Sequence, residues 1–385
     1  MRFSSRIPWN LKPNRLSDCL ERKRRSGQRV LDLTESNPTA AGFEYPPGLL
    51  AALSDPRSLR YEPAAAGARQ AREAVAGYYR RRGDGVDASR ILLTASTSEA
   101  YGFLFKLLCD AGDEILVPRP SYPLFEFLAA LECVRVIQYP LAYHGEWSLD
   151  FECLEALAGE RTRAVVVVNP NNPTGSFLKR AEADRLAAFC RRRGLAIVSD
   201  EVFRDFALRE DPSRVETLAG FEDAPCFCLS GLSKVSALPQ MKLAWIVSNR
   251  PEAAERLELI ADTYLSVSTP VQHALPVLLS AAEALQAQIR ARLASNREFL
   301  EGALIPEAQL LPSEGGWYAI VQAPRIMSEE EWTLLALERA GVLVQPGYFY
   351  DFESEAFLVL SLLTRPETFR EGVSRMMEAM REALK

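Results

Sequence analysis

Arg163 to Gly175 reads "RAVVVVNPNNPTG". A short, fully apolar run meets a segment holding two Asn-Pro pairs and a glycine. Apolar runs of this length, stopped by turn formers, read as strands buried on both faces, the kind that fills a parallel sheet. The pattern recurs in "RILLTA", "DEILVP", "LAIVSDE", "CFCLSG" and "KLAWIVSN". Between these runs lie amphipathic helical stretches, such as Ser98 to Cys109 and "AEADRLAAFCRRRG". The alternation predicts an α/β protein with a largely parallel sheet, from about Tyr45 to about Leu265.

After Ser268 to Pro270 the pattern changes. A helix-rich stretch, "QAQIRARLASNREFLEGAL", leads to the shorter strand patterns "WYAIVQ" and "AFLVLSLL" and a closing helix from Pro366. This predicts a smaller α+β domain of residues 1–44 and 266–385 beside a large domain of residues 45–265, with Asn37 to Gly48 crossing between them.

A chain of 385 residues exceeds one simple core, which agrees with two domains. Its formal net charge of −6 argues against nucleic acid as the main partner. The seven cysteines are scattered and odd in number, which suits reduced thiols in a cytoplasmic protein. Cys226 and Cys228 lack companion ligands, and His144 and His273 lie far apart in sequence without a ligand pattern, so no metal site is expected. The start, "MRFSSRIPWNLKPNR", has no apolar signal region, and no apolar run approaches the roughly 20 residues of a membrane helix.

In open α/β sheets, ligands bind beyond the carboxyl ends of the strands, so polar residues there carry the functional reading. "ILLTA" runs into Ser96, Thr97 and Ser98 at a helix start, either an anion cradle or a plain cap. "AVVVV" runs into the turn that holds Asn172, whose amide points inward if the turn does more than turn. "LAIVS" ends in Asp200, which either caps the next turn or needs a cationic partner against its desolvation cost. "CFCLSG" runs out into Ser233 and Lys234, and Lys242 follows eight residues after Lys234. Either both ammonium groups reach water along the surface, or both meet a ligand. Together the groups ask for a carbonyl for the lysine and a protonated ring nitrogen for the acid. They also ask for a phenolic oxygen for the amide and a phosphate for the helix start. Pyridoxal 5'-phosphate carries all four.

The order "NPNNPTG", "SDE", "GLSK" and a basic residue eight positions on resembles the class I/II aminotransferases, the aspartate-aminotransferase-like pyridoxal-phosphate enzymes. "LTESNP" and "YEPAAAGARQAREAVAGYY" resemble that family's N-terminal crossover and helix entry. The resemblance covers nearly the whole chain and implies a mostly parallel seven-stranded sheet. It implies that Lys234 forms the internal aldimine and then shuttles a proton, that Asp200 holds the pyridinium N–H, and that Asn172 donates to the phenolic oxygen. It further implies that Tyr122 stacks on the ring and that Ser96, Thr97, Ser98, Ser233 and Lys242 hold the phosphate. Tyr61 matches a residue lent across a homodimer interface.

Three departures stand out. Lys242 and Phe203 occupy places where the family commonly has arginine and tyrosine. Losing the tyrosine donor predicts a raised aldimine pKa. Val359, in "FLVLSLLTR", falls where the family has the arginine for the substrate carboxylate. Arg365 either reaches inward in its stead or is an ordinary surface residue. Ser36, Asn37, Asn10, Trp317, Tyr348 and Tyr350 are candidates for lining the substrate pocket or for packing between domains. The expected activity is transfer of an amino group between an amino acid or related amine and a 2-oxo acid. A β-lyase or decarboxylase on the same fold is the alternative. A cofactor-sensing regulator would need a DNA-binding domain, for which about 40 residues before the core are too few. A dinucleotide dehydrogenase lacks its G-x-G-x-x-G.

Overall fold

A computed structural model of the chain describes residues 1–7, 12–354 and 356–385. Asn10 lies outside the described residues. Eight strands form the main sheet, in the order Ile91–Thr94, Ala244–Ser248, Cys226–Gly231, Ala196–Asp200, Thr162–Val168, Glu114–Arg119, Arg135–Tyr143 and Trp147–Leu149. Neighbours from Cys226–Gly231 through Arg135–Tyr143 are parallel, while Ala244–Ser248 is antiparallel to both of its neighbours. The seven strands expected are joined by Trp147–Leu149, which folds back antiparallel on Arg135–Tyr143. At three residues this strand is too short to carry a readable period.

The strand Thr162–Val168 shows why its apolar run is continuous. Ala164, Val166 and Val168 face one core with Phe103, Leu257 and Ile246, whereas Val165 and Val167 face another with Val75, Leu186 and Leu275. Helices Thr97–Leu108 and Pro251–Tyr264 cover the first face, and Arg69–Arg80, Arg180–Arg193 and Thr269–Ser280 cover the second. Because successive side chains point to opposite faces, a strand covered on both sides is mostly apolar along its length.

A second sheet is antiparallel throughout, ordered Gln309–Leu310, Tyr318–Gln322, Phe357–Ser361, Gln345–Pro346. Helices Ala282–Ala303 and Pro366–Ala383 pack together over its core, which contains Leu293, Trp317, Val359, Phe369 and Met376. Leu31–Asp32 pairs in parallel with Val342–Leu343, fastening the N-terminal segment to this C-terminal layer. Among the described residues, no helix is long and apolar enough to cross a membrane, and no cluster of three or more His, Cys, Asp or Glu side chains is placed to hold a metal.

Candidate active site

The chemistry gathers where the parallel strands end. Beyond Thr162–Val168, the turn spends two of its three asparagines on itself. Asn169 donates from Nδ2 to the Val215 carbonyl at 2.7 Å and accepts from the Leu178 N–H at 2.9 Å. Asn171 Oδ1 accepts from the Thr174 hydroxyl at 3.0 Å. Gly175 sits at φ +71°, and a Cβ there would come within 2.3 Å of the Gly315 carbonyl oxygen, so only glycine lets the turn pack on that loop. Asn172 is the one left over. It is 7% exposed, and its buried Oδ1 has no partner among the described residues.

One strand over, Asp200 closes Ala196–Asp200. Its Oδ2 accepts from the Tyr101 hydroxyl at 3.0 Å and its Oδ1 from the Val202 N–H at 3.2 Å. Burial pushes the carboxyl up to about 6, against the pull of these two bonds. Glu201, its neighbour, is a structural acid: its carboxylate accepts from Ser199, Thr217 and the Leu218 N–H at 2.6–2.9 Å.

Lys234 lies on the next strand's exit. Gly231 ends Cys226–Gly231 pressed against Ala244, whose Cβ would stand 2.7 Å from an added Cβ, and the short helix Leu232–Val235 follows. The Lys234 Nζ lies 4.4 Å from the centre of the Trp317 ring and 5.4 Å from that of Phe203. It makes no hydrogen bond or ion pair among the described residues. Burial pulls the ammonium down to about 8, while the Asp200 carboxylate works the other way. Phe203 packs edge-on against Trp317 at 5.3 Å, so the wall beside the lysine is apolar. Burial and Asp200 raise the Tyr122 phenol, which places that residue in the same electrostatic group. Tyr318 is pushed up to about 12 by burial, with a hydrogen bond from Ser36 in opposition. Tyr350 packs 6.3 Å from the Tyr318 ring.

At the helix Thr97–Leu108, the Ser96 hydroxyl oxygen accepts from the Glu99 N–H at 3.1 Å and is an N-cap. Thr97 and Ser98 occupy the first helical turn, whose N–H groups face outward from the helix end. Lys242 is exposed and left-handed, at φ 52°. Antiparallel pairing of Gly231 with Ala244, and the Leu232 N–H bond to the Leu243 carbonyl at 3.0 Å, draw it back toward Ser233.

Not every candidate converges. Arg365 is exposed at the start of the helix Pro366–Ala383, and its guanidinium donates to the Ala40 carbonyl at 3.3 Å. Asn37 is exposed, its Oδ1 occupied by the Thr39 N–H and hydroxyl at 3.0 and 2.8 Å. Both side chains thus have hydrogen-bond partners within the chain. Tyr348 packs on Phe349 at 4.9 Å and is part-exposed. Val359 is fully buried between Ile320 and Gln345 and supplies no charge. Tyr61 is 80% exposed and touches none of these groups. Tyr101 and Tyr318 escaped the sequence reading. Tyr101 lies four residues after Thr97, one turn along a helix whose start was already suspect, and that spacing was the available signal.

The fold and this set of side chains define an enzyme of the transaminase type. A family model, aminotransferase class I and II, matches residues 29–376, and the chain belongs to that family. It is similar to the glutamate-pyruvate aminotransferase AlaA of Haemophilus influenzae, 26% identical over 370 residues covering 91% of this chain and 90% of that one. It is 32% identical to the S-alkyl-thiohydroximate lyase SUR1 of Arabidopsis thaliana over 57% of this chain and 49% of that one. In fold it matches an alanine aminotransferase from Pyrococcus furiosus with a TM-score of 0.88 at 23% identity, over 99% of this chain and all of the other.

Proposed function

We propose that the protein binds pyridoxal 5'-phosphate at Lys234 and transfers an amino group between an amino acid or related amine and a 2-oxo acid. One observation carries this reading. Three strand ends in a row present, among the described residues, an unpartnered lysine lowered toward neutrality, a buried carboxylate and a side-chain amide that makes no hydrogen bond, leaving its Nδ2 free to donate. Each unmet group fits one part of the cofactor. Lys234 fits the aldehyde, Asp200 the ring nitrogen, Asn172 the phenolic oxygen, and Tyr122 the ring face. The helix start at Ser96, Thr97 and Ser98, with Ser233 and Lys242, fits the phosphate.

When bound, the cofactor supplies a protonated ring that accepts the electrons of a bond broken at the substrate's Cα. The chain does the rest. Asp200 stays ionised above about pH 6 and holds the proton on the ring nitrogen. Lys234 Nζ, about half neutral near pH 8, takes the proton from Cα and returns it. Trp317 and Phe203 keep water from that nitrogen.

Exposed Leu50, Leu59, Tyr61, Tyr264, Leu265 and Val277 lie on the helices and turns around Tyr61, and this apolar surface supports a homodimer to which Tyr61 contributes across the interface. Seven unpaired cysteines support a cytoplasmic setting. The two sheets, each with its own core, support a large and a small domain. The proposed large domain comprises residues 45–265, and the packing of helix Thr269–Ser280 with the large core supports extending it toward Ala282.

Borohydride treatment of the cofactor-saturated protein tests the reading: the label is expected on the peptide holding Lys234, and colourless protein with no label there refutes it. A second reading is β-elimination, supported by neutral Val359 and by the likeness to the lyase. Conversion of the bound cofactor to its amine form by an amino donor separates the two.

A further inference from the structure

A further cleft shares none of the residues placed around Lys234. It measures about 820 Å³ and opens between the hairpin of Arg135–Tyr143 with Trp147–Leu149 and the segment holding Phe352 and Phe357. Small-molecule sites span roughly 300–1,000 Å³. Four rings cross it as a chain: Tyr143 to Trp147 at 4.9 Å, Trp147 to Phe352 at 5.9 Å, and Phe352 to Phe357 at 4.6 Å.

The polar groups at this cleft divide cleanly. Its acids are spent. Glu353 pairs with Arg119, and Asp150 accepts from the Cys153 N–H at 3.0 Å as the cap of a helix. Neighbouring Asp351 accepts from Gln138 Nε2 at 2.8 Å. What remains unspent is mostly donor. Arg325 is exposed and has no ion pair or hydrogen bond among the described residues. Arg119 Nε and Trp147 Nε1 are buried atoms without a partner among the described residues, on side chains that border the cleft. His144 stands exposed at its rim. Unmade buried donors are costly, and a small rotation of either side chain toward an entering acceptor relieves that cost. A guanidinium also offers a carboxylate two parallel bonds.

We propose that this cleft is a second ligand site, for a flat apolar molecule carrying one carboxylate. The rings take the apolar body and Arg325 takes the charge, with Arg119 Nε and Trp147 Nε1 as further donors. The occupant bridges the two sheets without entering the Lys234 pocket.

Calorimetric titration with 2-naphthoate tests this on protein whose cofactor has been fixed by borohydride, so that the Lys234 pocket is filled. One saturable site per chain is expected. Arg325→Ala, at an exposed and unpaired position, is expected to weaken binding about tenfold or more, and so is replacing the probe by neutral 2-naphthamide. Trp147→Phe keeps the ring, removes the donor and is expected to weaken binding less than Arg325→Ala does. Absence of saturable binding overturns the site. Equal affinity of the Arg325→Ala protein, or of the amide, overturns the anion assignment. Should borohydride fix nothing, the Lys234 reading falls, while the same titration of untreated protein and of Arg325→Ala still decides the cleft.

Discussion

The Lys234 ammonium lies 4.4 Å from the centre of the Trp317 ring, Lys234 following a strand of the main sheet and Trp317 preceding a strand of the second. The ring helps to exclude water from the lysine, and burial lowers the ammonium to about 8. Trp317→Ala should therefore move the midpoint for cofactor capture upward from about 8, because water re-enters. It should also cost about 3–5 kcal/mol of stability, as removal of a buried Trp does. Stopped-flow capture against pH and urea unfolding measure the two.

Asp200 raises the Lys234 pKa, so Asp200→Asn should lower the capture midpoint below about 8. Asp200 itself is raised in the fold from 3.8 to about 6. Protonated Asp200 thus stabilises the fold below pH 3.8, and this contribution fades as pH rises through the window to about 6. Above it, the buried carboxylate costs the cofactor-free protein roughly 1–3 kcal/mol. Asp200→Asn should stabilise that protein at pH 7.5 and have little effect at pH 4, as read by thermal unfolding.

Tyr101 donates to Asp200 and holds its pKa down. Tyr101→Phe should shift the acid limb of cofactor binding upward from about pH 6. An unchanged limb would show that the phenol merely packs.

Asn169 and Asn172 separate structure from site. Asn169→Ala removes two buried hydrogen bonds and should cost about 2–3 kcal/mol of stability. Asn172→Ala removes an amide with no hydrogen bond among the described residues, so it should leave stability within about 0.5 kcal/mol, and it should weaken cofactor binding roughly tenfold by removing the Nδ2 donor. Urea melts with cofactor titrations distinguish the pair.

Phe203 sits beside the lysine with an apolar edge. Phe203→Tyr should supply a donor to the cofactor's ring oxygen and lower the pH midpoint of the visible band. A midpoint that stays put counts against that placement.

The parallel sheet was legible because strands covered on both faces are mostly apolar, as Ala164 to Val168 show. The termini of those strands were legible for the complementary reason. Polar residues such as Asp200, Asn172 and Lys234 are placed there by the alternation of strand and helix alone. Trp147–Leu149 was not legible, since three residues carry no period. Nor was the use of the three asparagines around 170, because a sequence does not say which amide finds a partner.

The chain's order of apolar runs and turn residues thus determined the sheet, its class and the line of residues at its carboxyl edge, since these follow from local periodicity. Only the tertiary structure decided that Trp317 walls in Lys234, that Tyr101 anchors Asp200, and that Arg365 meets the Ala40 carbonyl. Those outcomes depend on which surfaces of distant segments meet, and on water leaving between them, which no local pattern encodes.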